Sequence, residues 1–176
     1  MTDYSDHIGI IGGGIAGLTL GCSLLKEGIP ATIFEKMPEE TSHGAALSLS
    51  SNALRLLNRL DIYNDLKNQS FIHSVASIQG PQKEISSFQT PEVLTTRRQT
   101  LMTLLYSKYI NLGGEVHHGH ALDDFDTAKC EVTFTNKKKY TLKHLAACDG
   151  IRSSIRDTFL QPIKLLNIVA IVHGEA

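Results

Sequence analysis

One stretch near the start of the chain restricts the possible folds more than any other. His7 to Ile11 is a short apolar run that reads as a buried strand. Gly12-Gly13-Gly14-Ile15-Ala16-Gly17 follows at once and supplies G-x-G-x-x-G. An apolar-periodic helix comes next, with Leu18, Cys22 and Leu25 on one face, and Ala31 to Phe34 is a second strand that ends at Glu35. Strand, glycine turn, helix, strand and terminal acid are the parts of a βαβ dinucleotide-binding unit, here in their required order. Gly12 allows the tight turn, Gly14 lets the backbone approach a pyrophosphate, and Gly17 with Gly21 lets the helix lie against the strand. The first helical amides, from Ile15 onward, and the positive end of the helix dipole attract phosphate. Glu35 is placed to accept hydrogen bonds from ribose hydroxyls, and its charge disfavours a 2′-phosphate there.

Composition narrows the class further. A chain of 176 residues can bury one full core. Its net charge of -1 gives no bulk attraction to nucleic acid or to an anionic membrane. No apolar run reaches the length of a membrane span, and the polar start MTDYSDH does not read as a signal peptide. Cys22, Cys130 and Cys148 lie in apolar-patterned segments at unrelated spacings, which reads as reduced core cysteines of a cytoplasmic protein.

After Glu35 the segment from Lys36 to Glu40 reads as a polar loop, and His43 to Leu49 as an extended, small-residue stretch. Ser50 or Ser51 caps a helix from about Asn52, with Ala53, Leu56, Leu57 and Leu60 as its apolar positions, and a short helix follows near Ile62 to Leu66. Short strands are expected between Phe71 and Phe88, around a turn at Gly80-Pro81. Thr95-Thr96-Arg97-Arg98 leads into the cleanest helix, which buries Leu101, Leu104, Leu105, Tyr109 and Leu112 and stops at Gly113-Gly114. A meander is expected next, from Glu115 to His117, Ala121 to Phe125, Cys130 to Thr135 and Tyr140 to Leu142. Leu145 to Cys148 reads as a separate strand running into Asp149-Gly150, followed by a helical turn through Ser153 and Arg156 that Pro162 closes, and by a last strand from Ile168 to Val172. The expected architecture is α/β: a Rossmann-like, mostly parallel sheet with helices on both sides and an antiparallel β-meander on one face.

Four landmarks, in order, carry a resemblance to the FAD-dependent monooxygenases of the para-hydroxybenzoate hydroxylase-like group, the flavoprotein aromatic hydroxylases. They are the fingerprint with Glu35; the stretch GAALSLSSNALRLLNRLDI, Gly44 to Ile62; Arg98-Gln99-Thr100-Leu101 as R-x-x-L at the start of the long helix; and Cys148-Asp149-Gly150-Ile151-Arg152-Ser153-Ser154-Ile155-Arg156, which is similar to A-D-G-x-x-S-x-x-R with Cys148 in place of alanine. The resemblance implies an FAD site made by Gly12, Gly14, Ile15, Ala16, Gly17, Glu35, Lys36, Arg98, Leu122, Asp149 and Gly150. In it Glu35 takes the adenosine ribose. Arg98, or in a register shifted by one Arg97, reaches the pyrophosphate, where a guanidinium fork suits phosphate oxygens. Asp149-Gly150 lines the pyrophosphate region, and the backbone near Leu122 borders the adenine. His43 and Gly44 lie either near the flavin or on a surface loop.

The resemblance also implies an activity: NADH or NADPH reduces the flavin, and one atom of oxygen is inserted into a phenolic or other electron-rich small molecule. Rival reactions on the same scaffold are epoxidation, halogenation and reduction, and a non-catalytic FAD-binding half-protein is a further alternative. The later G-D motif of the group and nearly all of its substrate-binding sheet are missing. Residues 1–160 are therefore expected to be the N-terminal part of the FAD-binding domain and 161–176 the start of a truncated substrate-binding domain. The truncated edge would expose apolar surface to a complementing chain or to a second copy. No general acid or base is identifiable. His117-His118-Gly119-His120 lacks a matching cysteine or carboxylate and reads as a solvated turn with no metal. Lys137-Lys138-Lys139 reads as a solvated hairpin tip with no nucleic-acid role.

Overall fold

The computed structural model describes residues 2–38, 45–79 and 84–159. The expected turn at Gly80-Pro81, residues His43 and Gly44, the stop at Pro162, the strand from Ile168 to Val172 and the boundary after residue 160 all lie outside the described residues.

Strand β1 (Thr2–Ile11), helix α1 (Ile15–Lys26) and strand β2 (Ala31–Phe34) make the first βαβ unit. β1 and β2 run parallel, with Ile10 beside Ile33 and Ile11 beside Phe34. Successive side chains of a strand point to opposite faces. Ile10 and Ile33 therefore enter one core with Leu18, Cys22, Leu101, Leu105 and Tyr109. Ile11 and Phe34 enter another with Val132, Phe134, Tyr140, Leu142 and Ile155. Both faces of this sheet are covered, which is why its strands read as continuous apolar runs rather than alternating ones.

Strand β3 (Ala46–Leu49), helices α2 (Ser51–Arg59) and α3 (Tyr63–Lys67), and strands β4 (Phe71–Gln79) and β5 (Glu84–Arg97) form an excursion with its own antiparallel sheet, in the order β3-β5-β4. Helix α2 buries Leu54 and Leu57, with Leu60 just beyond it; Leu56, expected inside, is exposed. Both stripes have helical spacing, and only the neighbours α2 meets choose between them.

Helix α4 (Arg98–Asn111) buries the expected Leu101, Leu105 and Tyr109 against α1 and the sheet. The Tyr109 hydroxyl donates to the carbonyls of Ala31 at 2.8 Å and Glu115 at 3.2 Å, which ties the helix to two strands.

Strands β6 (Glu115–His117), β7 (Leu122–Asp126), β8 (Glu131–Phe134) and β9 (Lys139–Ala147) complete a six-stranded sheet in the order β6-β2-β1-β9-β8-β7. β6, β2, β1 and β9 are parallel, while β7, β8 and β9 form the antiparallel meander. Two expectations are corrected here. The segment from Glu115 to His117 does not begin the meander; it is the parallel edge strand beside β2. Tyr140 to Leu142 and Leu145 to Cys148 are not two strands, because β9 runs unbroken from Lys139 to Ala147. The polar pair Lys143-His144 that suggested a break is exposed, at the place where the ladder to β1 shifts register between Tyr4 and Ile8. Cys130 is likewise not a core residue: it is part-exposed, with φ 54°, at the turn before β8.

Short helix α5 (Ser154–Phe159) follows the meander. The long helices α1 and α4 share one face of the sheet, and helix cover on the meander side comes from α5 through Ile155. No helix among the described residues is long and apolar enough to cross a membrane.

Candidate functional site

The C-terminal ends of β1, β2 and β9 meet the N-terminal ends of α1 and α4, at the place where an open parallel sheet offers a crevice to ligands. Two backbone bonds set this meeting point. Gly12 N–H donates to the Phe34 carbonyl and Cys148 N–H to the Ile11 carbonyl, each at 2.8 Å. Gly12 has φ 107°, and a Cβ there would run into the Cys148 carbonyl. Gly17 is buried, and a Cβ on it would run into the Gly12 carbonyl oxygen, so only glycine lets α1 begin this close to β1.

A cavity of about 300 Å³ opens there, and Gly12, Gly14, Glu35, Lys36, Arg98, Leu122, Asp149 and Gly150 all line it. Of the expected site residues, Ile15, Ala16 and Gly17 do not line it. They supply the start of α1 instead: the first bond of the helix runs from Leu18 N–H to the Gly14 carbonyl at 2.9 Å, so the three preceding amides have no intrahelical acceptor. Gly14, the N-cap, has open space where a Cβ would point.

Glu35 is held at both ends of its carboxylate. Oε2 accepts from Gly13 N–H at 2.6 Å and Oε1 from Met37 N–H at 2.8 Å. Across the cavity, Asp149 Oδ2 accepts from Ser154 N–H at 3.0 Å and so fastens the start of α5. Its Oδ1 is shut off from solvent without a hydrogen-bond partner. Burial, aided by the charge of Asp149, pushes the Cys148 thiol pKa up, so this thiol stays protonated. Lys36, Arg98 and Arg152 bring three cations to the lining, against two carboxylates. A helix start with free amides, flanking guanidinium and ammonium groups and a carboxylate one residue past a strand can hold a molecule with an anionic centre and a hydroxyl-bearing end.

A second cavity of about 330 Å³ shares Gly14, Glu35 and Arg98 and extends along α4 to Met102, Tyr106 and His118. His118 Nδ1 lies 3.2 Å from the Met37 carbonyl, and its Nε2 is enclosed with no partner.

The histidine run is not a solvated turn. His120 is only 4% exposed, and the His117 ring stacks 5.2 Å from Phe34. Burial holds the His117 pKa below the ordinary histidine value, with His120 and Lys138 adding to the effect and Glu115 opposing it. Among the described residues no group of three histidine, cysteine, aspartate or glutamate side chains is arranged to hold a metal.

Sequence reasoning missed Gly13, whose amide orients Glu35, and the lining residues His120, Ala121 and Ser154. Ser154 was legible in the Cys148-to-Arg156 motif. His120 carried no local signal, because it is enclosed by Phe34, Phe134 and Tyr140 from three different strands.

The FAD binding domain family matches residues 6–166 of the chain. An FAD-dependent monooxygenase of Arthroderma otae, nscC, is 32% identical over 191 residues, covering 94% of this chain and 45% of that protein. The crystal structure of p-nitrophenol 4-monooxygenase PnpA from Pseudomonas putida DLL-E4 superposes with TM-score 0.80 at 18% identity, covering 90% of this chain and 44% of that one. The flavin-dependent monooxygenase PieE, solved in complex with FAD and substrate, gives TM-score 0.76 at 16% identity, with 90% of this chain and 32% of that one covered. The chain thus spans less than half the length of these relatives, and it belongs to the FAD-binding-domain family of the flavin-dependent monooxygenases.

Proposed function

We propose that this chain is the FAD-binding part of a flavin-dependent monooxygenase that uses NADH or NADPH to insert one atom of O2 into a phenolic or other electron-rich ring. The observation that carries the reading is the convergence of Gly12, Gly14, Glu35, Arg98 and Asp149 on one cavity at the start of α1. The residues fit FAD. Gly14 leaves open the cradle that a Cβ would fill, and the enclosed Asp149 Oδ1 still has acceptor capacity for a hydroxyl.

Bound FAD would supply the electron transfer and oxygen activation. The chain's own residues bind and orient it. The amides of Ile15, Ala16 and Gly17 and the guanidinium of Arg98 take the pyrophosphate. Glu35 accepts from the adenosine ribose, since each carboxylate oxygen keeps acceptor capacity after Gly13 and Met37 have donated. Lys36 and the backbone at Leu122 border the adenine, and Asp149-Gly150 flank the middle of the cofactor. A carboxylate at position 35 repels a 2′-phosphate, which favours FAD over a phosphorylated dinucleotide at this site.

The aromatic substrate class draws support from a relative named for p-nitrophenol. Residues 1–160 are the FAD-binding portion and residues 161–176 begin the substrate-binding part, in a cytoplasmic protein. A second reading, an FAD-binding half-protein completed by another chain or a second copy, is favoured by exposed Phe71, Ile72 and Val75 on β4.

The test is FAD titration of the purified chain followed by absorbance and gel filtration. Flavin that co-elutes, and whose retention falls in Glu35→Lys, supports the reading; a chain that retains no flavin overturns it for this portion alone. NADH and NADPH oxidation with and without substituted phenols, in a chain extended to the length of the relatives, tests the activity.

A further inference from the structure

We propose that His120 is a positioning residue for the adenosine end of the site, holding the backbone from His118 to Leu122 and Glu35 in binding register through a ring bonded at both of its nitrogens. The inference rests on the FAD reading for its functional meaning, but its geometry does not.

His120 is buried, yet it lines the cavity beside Ala121 and Leu122. Its backbone N–H donates to the Glu35 carbonyl at 2.9 Å, and Glu35 N–H donates to the His117 carbonyl at 2.9 Å. These two bonds lace the chain that leaves β6 to the residue that carries the carboxylate. Each ring nitrogen then has one partner. Nδ1 lies 2.7 Å from the His118 carbonyl oxygen, and Nε2 lies 3.0 Å from the Tyr140 hydroxyl. A carbonyl oxygen only accepts, so Nδ1 carries a proton and donates to it, while Nε2 is bonded to the Tyr140 hydroxyl.

The ring is thus a strut between the tight turn after β6 and strand β9, which pairs directly with β1. It is wedged edge-on against Phe134 at 5.0 Å and tilted against Phe34 at 5.9 Å. Phe34 is the residue before Glu35, so a shift of the ring moves Glu35 through both the main chain and the packing. The Ala121 carbonyl is also fixed, accepting from Thr135 N–H at 2.9 Å, which leaves the Ala121–Leu122 backbone held from two sides. A phenylalanine at 120 would fill the space and strand both the His118 carbonyl and the Tyr140 hydroxyl. An asparagine would place an amide N–H where Nδ1 stands and keep the turn closed, while leaving a gap beside Phe134.

These two variants separate positioning from mere packing. His120→Phe is expected to weaken FAD binding about tenfold, and His120→Asn to stay within about threefold of the parent, as one buried hydrogen bond predicts. The melting temperatures should fall in the reverse order, lower for His120→Asn, because asparagine loses the Tyr140 bond and leaves a gap beside Phe134, whereas phenylalanine loses both bonds but keeps the space filled. Affinity, read by flavin fluorescence, should therefore run opposite to stability. In the chain without FAD, amide hydrogen exchange at Glu35 and His120 should be faster in His120→Phe and parent-like in His120→Asn.

Affinities that follow the melting order, or exchange at Glu35 unchanged in His120→Phe, overturn the proposal. If the parent chain takes up no FAD but the exchange order holds, the FAD reading fails and the positioning role stands. If FAD binds parent and His120→Phe equally, the reverse is true.

Discussion

Two alanine substitutions only three residues apart, at Gly14 and Gly17, separate the folding role of the glycine fingerprint from its ligand role. At Gly17 a Cβ would overlap the Gly12 carbonyl oxygen and come within 3.2 Å of Ile10 Cγ2. Both obstacles belong to β1 and its turn, so helix and strand must separate. Overpacking of this kind costs about 1–3 kcal/mol, with the upper end apt for a backbone obstacle. Alanine inside a helix returns up to about 1 kcal/mol of propensity, which leaves a net loss of about 2 kcal/mol. For a chain of this size that is a fall in melting temperature of roughly 4–8 °C. At Gly14 nothing lies within 4 Å of the added Cβ, and φ is -75°. The lower entropy of the unfolded chain and the weaker N-cap nearly cancel, so stability should move by no more than about 0.5 kcal/mol. The Cβ nevertheless points into the space through which a pyrophosphate must approach α1, and FAD affinity should fall. Thermal melts by circular dichroism, paired with flavin fluorescence titration, read both quantities. A Gly17→Ala chain that melts with the parent, or a Gly14→Ala chain that loses stability but keeps its FAD affinity, would refute this reasoning.

Glu35→Gln replaces one carboxylate oxygen with an amide N–H group facing Gly13 N–H or Met37 N–H, so one of these bonds is lost; stability should fall by about 1 kcal/mol and FAD affinity about tenfold; equal affinity would remove Glu35 from the site. Tyr109→Phe leaves the Ala31 and Glu115 carbonyls without their shared donor inside the core, and urea denaturation should show a loss of about 1–2 kcal/mol. His117 titrates below the ordinary histidine value, chiefly through burial, so the unfolded chain takes up a proton that the folded one resists. Its contribution to stability is complete above about pH 6.5 and is lost as the pH falls from there through the native pKa. Melts at pH 8 and pH 5.5 should show a smaller acid-side drop for His117→Gln than for the parent, and identical slopes would assign the drop elsewhere.

Much of the site was legible because its residues are close in sequence or belong to short motifs. Gly12 to Gly17, Glu35 and Asp149-Gly150 obey local rules: a turn that needs a positive φ, a helix start that takes anions, an acid just past a strand. Arg98 was legible at the start of the longest helix, and the structure brings it to the same cavity as Asp149. His120 was not legible, since it packs against Phe34, Phe134 and Tyr140 from three strands and its hydrogen-bond partners are Tyr140 and a main-chain carbonyl. The edge strand β6 was misplaced because three residues carry no mark of whether they pair parallel or antiparallel. The continuity of β9 was missed because a polar pair inside a strand looks the same as a turn until its neighbour's register is known.

The sequence by itself determined the first βαβ unit, the helix start with its unbonded amides, the acid just past β2 and the stripe that buries α4. Each follows from steric limits at glycine or from the periods of strand and helix, which act over a few residues. Only the tertiary structure decided which face of α2 turns inward, which strand borders β2, and that His120 is buried while His117 and His118 are half-buried. Those outcomes depend on contacts between segments far apart in the chain, where many arrangements satisfy the same local pattern and packing selects one.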